Sequence, residues 1–104
     1  MSETKGIAFL AELERIIDAR LEGASPEQSY TAKLARKGAV KVAQKVGEEG
    51  VELALAAAAE DGERVKSEAA DLLYHLLLLL RVKGLRLEDA VAELERRHAE
   101  AARR

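Results

Sequence analysis

The stretch "LLYHLLLLL" at residues 72–80 constrains this chain more than any other feature. At 100° per residue, Leu72, Leu73, Leu76, Leu77, Leu78, Leu79 and Leu80 point in nearly every direction around a helix, leaving no face for water. A helix that is apolar all round has to be buried all round. The run contains His75, is bounded by Asp71 and Arg81, and falls far short of the roughly 20 apolar residues that cross a bilayer. Protein, not lipid, has to cover it, and no membrane association is expected. A chain of 104 residues is one domain, 1–104, with a modest core of its own. Four further short helices can hardly enclose such an element. The expectation is an all-α helical bundle of about five helices whose core is completed by homodimerisation.

Glycines and the single proline mark where the helices stop. Ile7, Leu10, Leu13, Ile17 and Leu21 recur at helical spacing and predict an amphipathic first helix up to about Gly23. Ser25, Pro26 and Gln28 resemble a capping box with proline at the first helical position, and Ser29 or Thr31 offers a second cap. Gly38 either ends that short helix or kinks it. Alanine, lysine and glutamate favour a long helix from Ala39 to Glu60, which "EDGE" at 60–63 breaks. A fourth helix runs from about Glu63 to Lys83 and stops at Gly84, and a last one starts near Leu87 with Val91 and Leu94 on one side. No period-2 alternation predicts a strand anywhere.

Composition removes several classes of function. With 17 basic against 19 acidic residues and a net charge of −2, the chain lacks the basic excess of a nucleic-acid binder. It has no cysteine, hence no disulfide framework, thiolate zinc site or cysteine nucleophile. The opening "MSETKGIAFLAELERI" has no apolar core before a small-residue cleavage site, so a cytoplasmic protein is expected.

Against this well-mixed charge, "KVGEEGVE" at 45–52 crowds Glu48, Glu49 and Glu52 onto one helix. Like charges at helical spacing cost roughly 0.2–0.5 kcal/mol per pair. With Glu49 placed at about 0° on an ideal helical wheel, Val42, Leu53 and Val46 fall at about 20°, 40° and 60°. Glu49 therefore borders the apolar stripe. Glu52 and Glu48 lie at about −60° and −100°, in one sector with Lys45 at about −40° and Lys41 at about −80°. The fourth helix supplies a complement: Glu68 and Asp71 are three apart on one face, with Arg64 and His75 beside them. Carboxylates at a core margin are costly as bare ions, and two pairs facing each other cost more. A hard divalent cation, Mg²⁺ or Mn²⁺, resolves the repulsion through oxygen ligands. That makes Glu49, Glu52, Glu68 and Asp71 the candidate metal ligands, although a lone E-x-x-E pair is more often solvated surface.

These same residues carry a resemblance. "EEGVE" followed by "EAAD" is similar to the E-E-x-x-E…E-x-x-D signature of the all-α nucleoside triphosphate pyrophosphatase superfamily, the MazG type. "SYTAKL", "KVAQKVGEE", "ADLLYHLL" and the closing "ELERRH" resemble, more specifically, the phosphoribosyl-ATP pyrophosphohydrolases of histidine biosynthesis, over about Ser29 to His98. The resemblance implies Mg²⁺-dependent hydrolysis of the small-molecule substrate phosphoribosyl-ATP to phosphoribosyl-AMP and pyrophosphate in a helical homodimer. It places the superfamily's ligands on Glu49, Glu52, Glu68 and Asp71. Glu48 is then either an additional ligand or the catalytic group that orients the attacking water. Lys41 and Lys45, extended by Lys33 and Lys37, meet the phosphates, and Thr31 in "SYT" either contacts substrate or caps a helix. His75 either hydrogen-bonds the Asp71 carboxylate from behind or is an ordinary core-edge histidine. The cyclohydrolase to which this activity is often fused is expected on a separate chain. Two alternatives stay open at this point: a broader pyrophosphatase of non-standard nucleoside triphosphates, and a non-enzymatic helical adaptor dimer.

Overall fold

In the computed structural model, which describes residues 5–103, a short 3₁₀ turn at Gly6–Ala8 leads into five helices. They are α1 (Phe9–Gly23), α2 (Tyr30–Arg36), α3 (Ala39–Ala58), α4 (Gly62–Val82) and α5 (Leu87–Ala102), and no strand occurs among the described residues. The all-α expectation holds.

The ends of the helices have local causes. Pro26 to Gln28 form only a turn, in which the Gln28 and Ser29 amides donate to the Ser25 carbonyl at 3.0 and 3.1 Å. The capping box expected at Ser25 is therefore not formed. The cap is Ser29, whose hydroxyl accepts from the Ala32 amide at 3.2 Å. Gly38 ends α2 rather than kinking it, because its φ of +97° is open to glycine alone at little cost. Its carbonyl then receives the Lys41 and Val42 amides that open α3. Glu60, at φ +57°, closes α3, and Asp61 caps α4 through the Arg64 amide at 3.2 Å.

The three-residue turn folds α3 and α4 into a hairpin, the most extensive helix pairing of the molecule. Ile17 of α1, Leu34 of α2, Val42 of α3 and Leu77 and Leu78 of α4 form the core, with Leu10, Leu13, Leu21, Tyr74, Leu79, Val82 and Leu87 packed around it. One copy of the chain does not enclose the leucine helix. His75, Leu77 and Leu78 are buried, whereas Leu73 is 42% exposed, as are Val51 (59%) and Leu55 (56%) on the neighbouring α3.

α5 stands apart. None of its residues is buried, and beyond Leu87 no side chain of it joins the core. It is held at its start, where the Glu14 carboxylate accepts from the Leu87 amide at 2.8 Å and pairs with Arg86 at 3.3 Å. The radius of gyration, 15.7 Å, exceeds the about 13 Å of a compact chain of this length, as an unpacked arm requires.

Candidate metal centre

On α3, Val42 is fully buried and Glu49, two turns on along the same side, keeps a side chain only 13% exposed. The apolar stripe thus draws one carboxylate of the acidic window to its margin and turns it toward α4. There Glu68 and Asp71 present the matching carboxylates, and oxygens of Glu49, Glu68 and Asp71 all lie within 4.8 Å of one another. Glu68 is half-buried and Asp71 exposed, so the cluster opens to solvent on the Asp71 side. Glu52 stands outside this group and is exposed, though its charge still reaches Glu68.

The electrostatics express the crowding. Burial pushes the Glu68 carboxyl above the usual carboxylate range; a hydrogen bond shared with Glu49, and the charges of Glu49, Asp71 and Glu52, push the same way. Among the described residues, no basic side chain forms an ion pair with Glu68 or Asp71, and only Lys45 approaches the cluster, at 3.7 Å from Glu49. Three convergent carboxylates with a single lysine beside them are the donor set of a hard divalent cation, so these residues fit Mg²⁺ or Mn²⁺.

The flank of α3 is basic and ordered. Lys45 sits 3.5 Å from Glu48 and 3.7 Å from Glu49. Partial burial pulls its ammonium down, but the Tyr30 phenol, Glu48 and Glu49 outweigh that and hold it above the ordinary lysine value. Gln44, which sequence reasoning missed, accepts from Lys41 at 3.2 Å and donates to Glu48 at 2.9 Å. That bond, ahead of the opposing burial and the nearby Lys45 and Lys41 charges, holds Glu48 below the usual carboxylate range. Glu48 is an exposed, ionised and oriented carboxylate next to the cluster. Lys33 and Lys37 are exposed on and just after α2, and Lys33 lines a depression of about 500 Å³ with Pro26, Glu27, Gln28, Ser29 and Tyr30.

Two expected contacts are placed differently. Thr31 is 1% exposed with its hydroxyl bonded to that of Tyr74; it faces α4 and does not cap α2, which Ser29 does. His75 bonds the main-chain carbonyl of Asp71, at 2.8 Å, rather than the carboxylate. A carbonyl only accepts, so Nδ1 carries the proton and Nε2 accepts from the Tyr30 hydroxyl at 2.9 Å. The Tyr30 partnership was invisible in sequence, since the two residues are 45 apart and only the crossing of α2 over α4 joins them. A Cβ at Gly50, next to Glu49 on α3, would meet no other group within 4 Å among the described residues.

The family model described as Phosphoribosyl-ATP pyrophosphohydrolase matches residues 10–98. The chain is 53% identical over 92 residues to a phosphoribosyl-ATP pyrophosphatase of Rhizobium etli, covering 88% of this chain and 85% of that protein. It is 52% identical over 88 residues to the enzyme of the same name from Agrobacterium fabrum, covering 85% of this chain and 81% of that one. A histidine biosynthesis bifunctional protein HisIE of Photobacterium profundum is 48% identical over 96 residues, 92% of this chain, of which this chain spans 46%.

Proposed function

The chain belongs to the phosphoribosyl-ATP pyrophosphohydrolase family, and from that premise we propose how it hydrolyses phosphoribosyl-ATP, in histidine biosynthesis, at the α3–α4 crossing. The adaptor reading falls with the family assignment. The observation that carries the proposal is the convergence of Glu49, Glu68 and Asp71 within 4.8 Å.

In this reading these three carboxylates would hold the divalent cation, with Glu52, one turn on along α3, as a fourth ligand. A bound Mg²⁺ supplies charge neutralisation at the phosphoryl oxygens and a water of lowered pKa. The chain's own residues do the rest. Lys45 and Lys41, fixed by Glu48 and Gln44, offer positive charge to the phosphates beside the metal, and Lys33 and Lys37 extend that strip. Cleavage of the α–β phosphoanhydride develops charge on the phosphoryl oxygens and the departing pyrophosphate, which this strip meets. Glu48, ionised and aimed by Gln44, accepts the proton of the attacking water.

A second copy of the chain completes the core over Leu73, Val51 and Leu55, giving a homodimer, and the protein works in the cytoplasm. No helix among the described residues is long and apolar enough to cross a membrane. The test is a chromatographic assay of phosphoribosyl-ATP with and without Mg²⁺, alongside dUTP and ITP. Release of pyrophosphate from phosphoribosyl-ATP only with the metal is expected. Equal turnover without it would overturn the proposed centre, and preference for dUTP or ITP would restore the broader pyrophosphatase.

A further inference from the structure

Tyr30 is oriented the wrong way round for a surface tyrosine. Such a residue ordinarily buries its ring and leaves its hydroxyl in water. Here the hydroxyl is tied inward, donating at 2.9 Å to the buried His75, while the residue is 52% exposed. His75 is in turn anchored to the Asp71 carbonyl at 2.8 Å, so the tyrosine is fixed to the same turn of α4 that carries a carboxylate of the metal centre. On one side the ring meets His75 edge-on, at 5.8 Å between centroids and 89°, and Tyr74 at 6.4 Å. Tyr30 also lines the depression of about 500 Å³ shared with Gln28 and Lys33, a size within the usual range of small-molecule sites.

An exposed aromatic ring whose tip is bonded inward gains nothing from water and loses little entropy on taking a planar ligand. The chain has three aromatic residues besides histidine, two tyrosines and one phenylalanine. Tyr74 is bonded to Thr31 within the fold, and Phe9 begins α1. Of the three, Tyr30 is the one that lines a depression together with a lysine of the phosphate-facing strip, Lys33.

We propose that the exposed part of the Tyr30 ring is the surface on which the adenine of phosphoribosyl-ATP stacks, with Gln28 in the same depression offering an amide donor and acceptor to the edge of the base. The inference rests on phosphoribosyl-ATP as the substrate. His75 is a positioning residue for it, tying the Tyr30 hydroxyl to the Asp71 carbonyl.

Stacking on the base is uniform binding, so it appears in KM and not in kcat. Tyr30→Leu raises KM for phosphoribosyl-ATP by roughly 5- to 150-fold, the span of one base–aromatic stack, with kcat within about twofold. Tyr30→Phe keeps the ring and holds KM within about threefold. The second readout is optical and needs no turnover. Tyrosine emission of the wild type, which has no tryptophan, is quenched on adding phosphoribosyl-AMP but not inorganic pyrophosphate, and Tyr30→Phe removes that quenching while Tyr74 remains. If Tyr30→Leu does not fold, the optical arm decides. An unchanged KM in Tyr30→Leu, a fall in kcat at constant KM, or equal quenching in wild type and Tyr30→Phe overturns the stacking alone. A wild type that fails to turn over phosphoribosyl-ATP with Mg²⁺ overturns the substrate assignment and the stacking with it.

Discussion

Two charged clusters lie along α4 and are built on opposite principles. Near its start, Glu68 and Asp71 face Glu49, like charge on like charge. Near its end, Arg81 donates to Asp18 of α1 at 2.6 Å, Arg86 reaches Glu14 at 3.3 Å and Asp18 at 3.7 Å, and Arg81 also holds the Leu85 carbonyl at 2.9 Å. Asp71 and Arg81 are separated by about 15 Å of helix. The distal cluster neutralises itself and fastens α1, α4 and the start of α5. The proximal one leaves its charge for something else to neutralise. A cluster that serves only the fold is expected to neutralise itself as the distal one does; a cluster that serves a ligand stores repulsion in its absence.

The largest effect should come from the proximal cluster and should fall on activity alone. Asp71→Asn or Glu49→Gln is expected to cut turnover of phosphoribosyl-ATP by more than the roughly 10- to 100-fold that loss of an outer-shell partner costs at a metal site. The metal-free melting temperature should stay equal or rise, since repulsion is removed. Near wild-type rates in both variants would reduce the cluster to an accident of surface charge.

Metal should be the next largest lever. With Mg²⁺ at about 100 times its dissociation constant, mass action stabilises the wild type by about 2.7 kcal/mol. That corresponds to roughly 4–8 °C in melting temperature for each kcal/mol in a domain of this size. Asp71→Asn should lose most of the shift. Glu48→Gln should keep it while losing rate, because Glu48 lies beside the cluster rather than in it. A thermal shift lost in Glu48→Gln would make that residue a ligand.

At the distal cluster the signs reverse. Arg81→Gln leaves Asp18, whose side chain is 24% exposed, without its closest partner. For a half-buried pair the expected loss is about 1–2 kcal/mol, between the values for surface and buried ion pairs. The rate per folded molecule should not change. A loss of activity at unchanged stability would mean that the two ends of α4 are coupled and the comparison fails.

The same contrast explains what could be read from the sequence. The leucine run predicted a helix, of which one copy of the chain buries only His75, Leu77 and Leu78, and the wheel placed Glu49 on the apolar margin; both follow from a 3.6-residue period within one element. Helix ends at Gly38, Glu60–Asp61 and Gly84 were also local. Ser25 and Ser29 compete for the same helix start, and only the chain reversal at Pro26 decides between them. Whatever depends on one helix crossing another stayed out of reach: Arg81 with Asp18, 63 residues apart, Tyr30 with His75, and the burial of Thr31. The choice between the carboxylate and the carbonyl of Asp71 as partner of His75 is a matter of rotamer, which spacing does not encode.

A smaller effect distinguishes the helix that carries the site. Gly50 interrupts α3 beside Glu49, whereas no mid-helix glycine flanks Glu14, Asp18 or Arg81. A Cβ at Gly50 meets nothing within 4 Å among the described residues. Gly50→Ala should therefore stabilise the metal-free protein by about 0.5–1 kcal/mol through helix propensity. If the variant is more stable yet slower, substrate or a second copy of the chain approaches this point of α3. If it is both more stable and fully active, the glycine has no task.

The smallest effect is the pH dependence, and it separates Glu68 from the paired carboxylate Glu93 by sign. Glu93, bonded to Arg96 and Arg97 on α5, is lowered to about 2. Its folded pKa lies below the unfolded value, so its contribution to stability is present above the unfolded pKa and is lost as pH falls toward about 2. Glu68 runs the other way. Its folded pKa is raised, first by burial and then by Glu49, Asp71 and Glu52, so the folded state binds its proton more tightly than the unfolded one. Stability therefore declines as pH rises from the ordinary carboxylate range through the raised folded value, and the penalty is complete above it. Melting curves of the metal-free protein on the neutral side of that range should show this decline in the wild type and a weaker one in Glu68→Gln. Mg²⁺ should reverse it, since ionised carboxylates bind the cation and protonated ones do not. An identical pH profile in wild type and Glu68→Gln, with and without the metal, would mean that Glu68 carries no stored repulsion and that the proximal cluster is not held together for a cation.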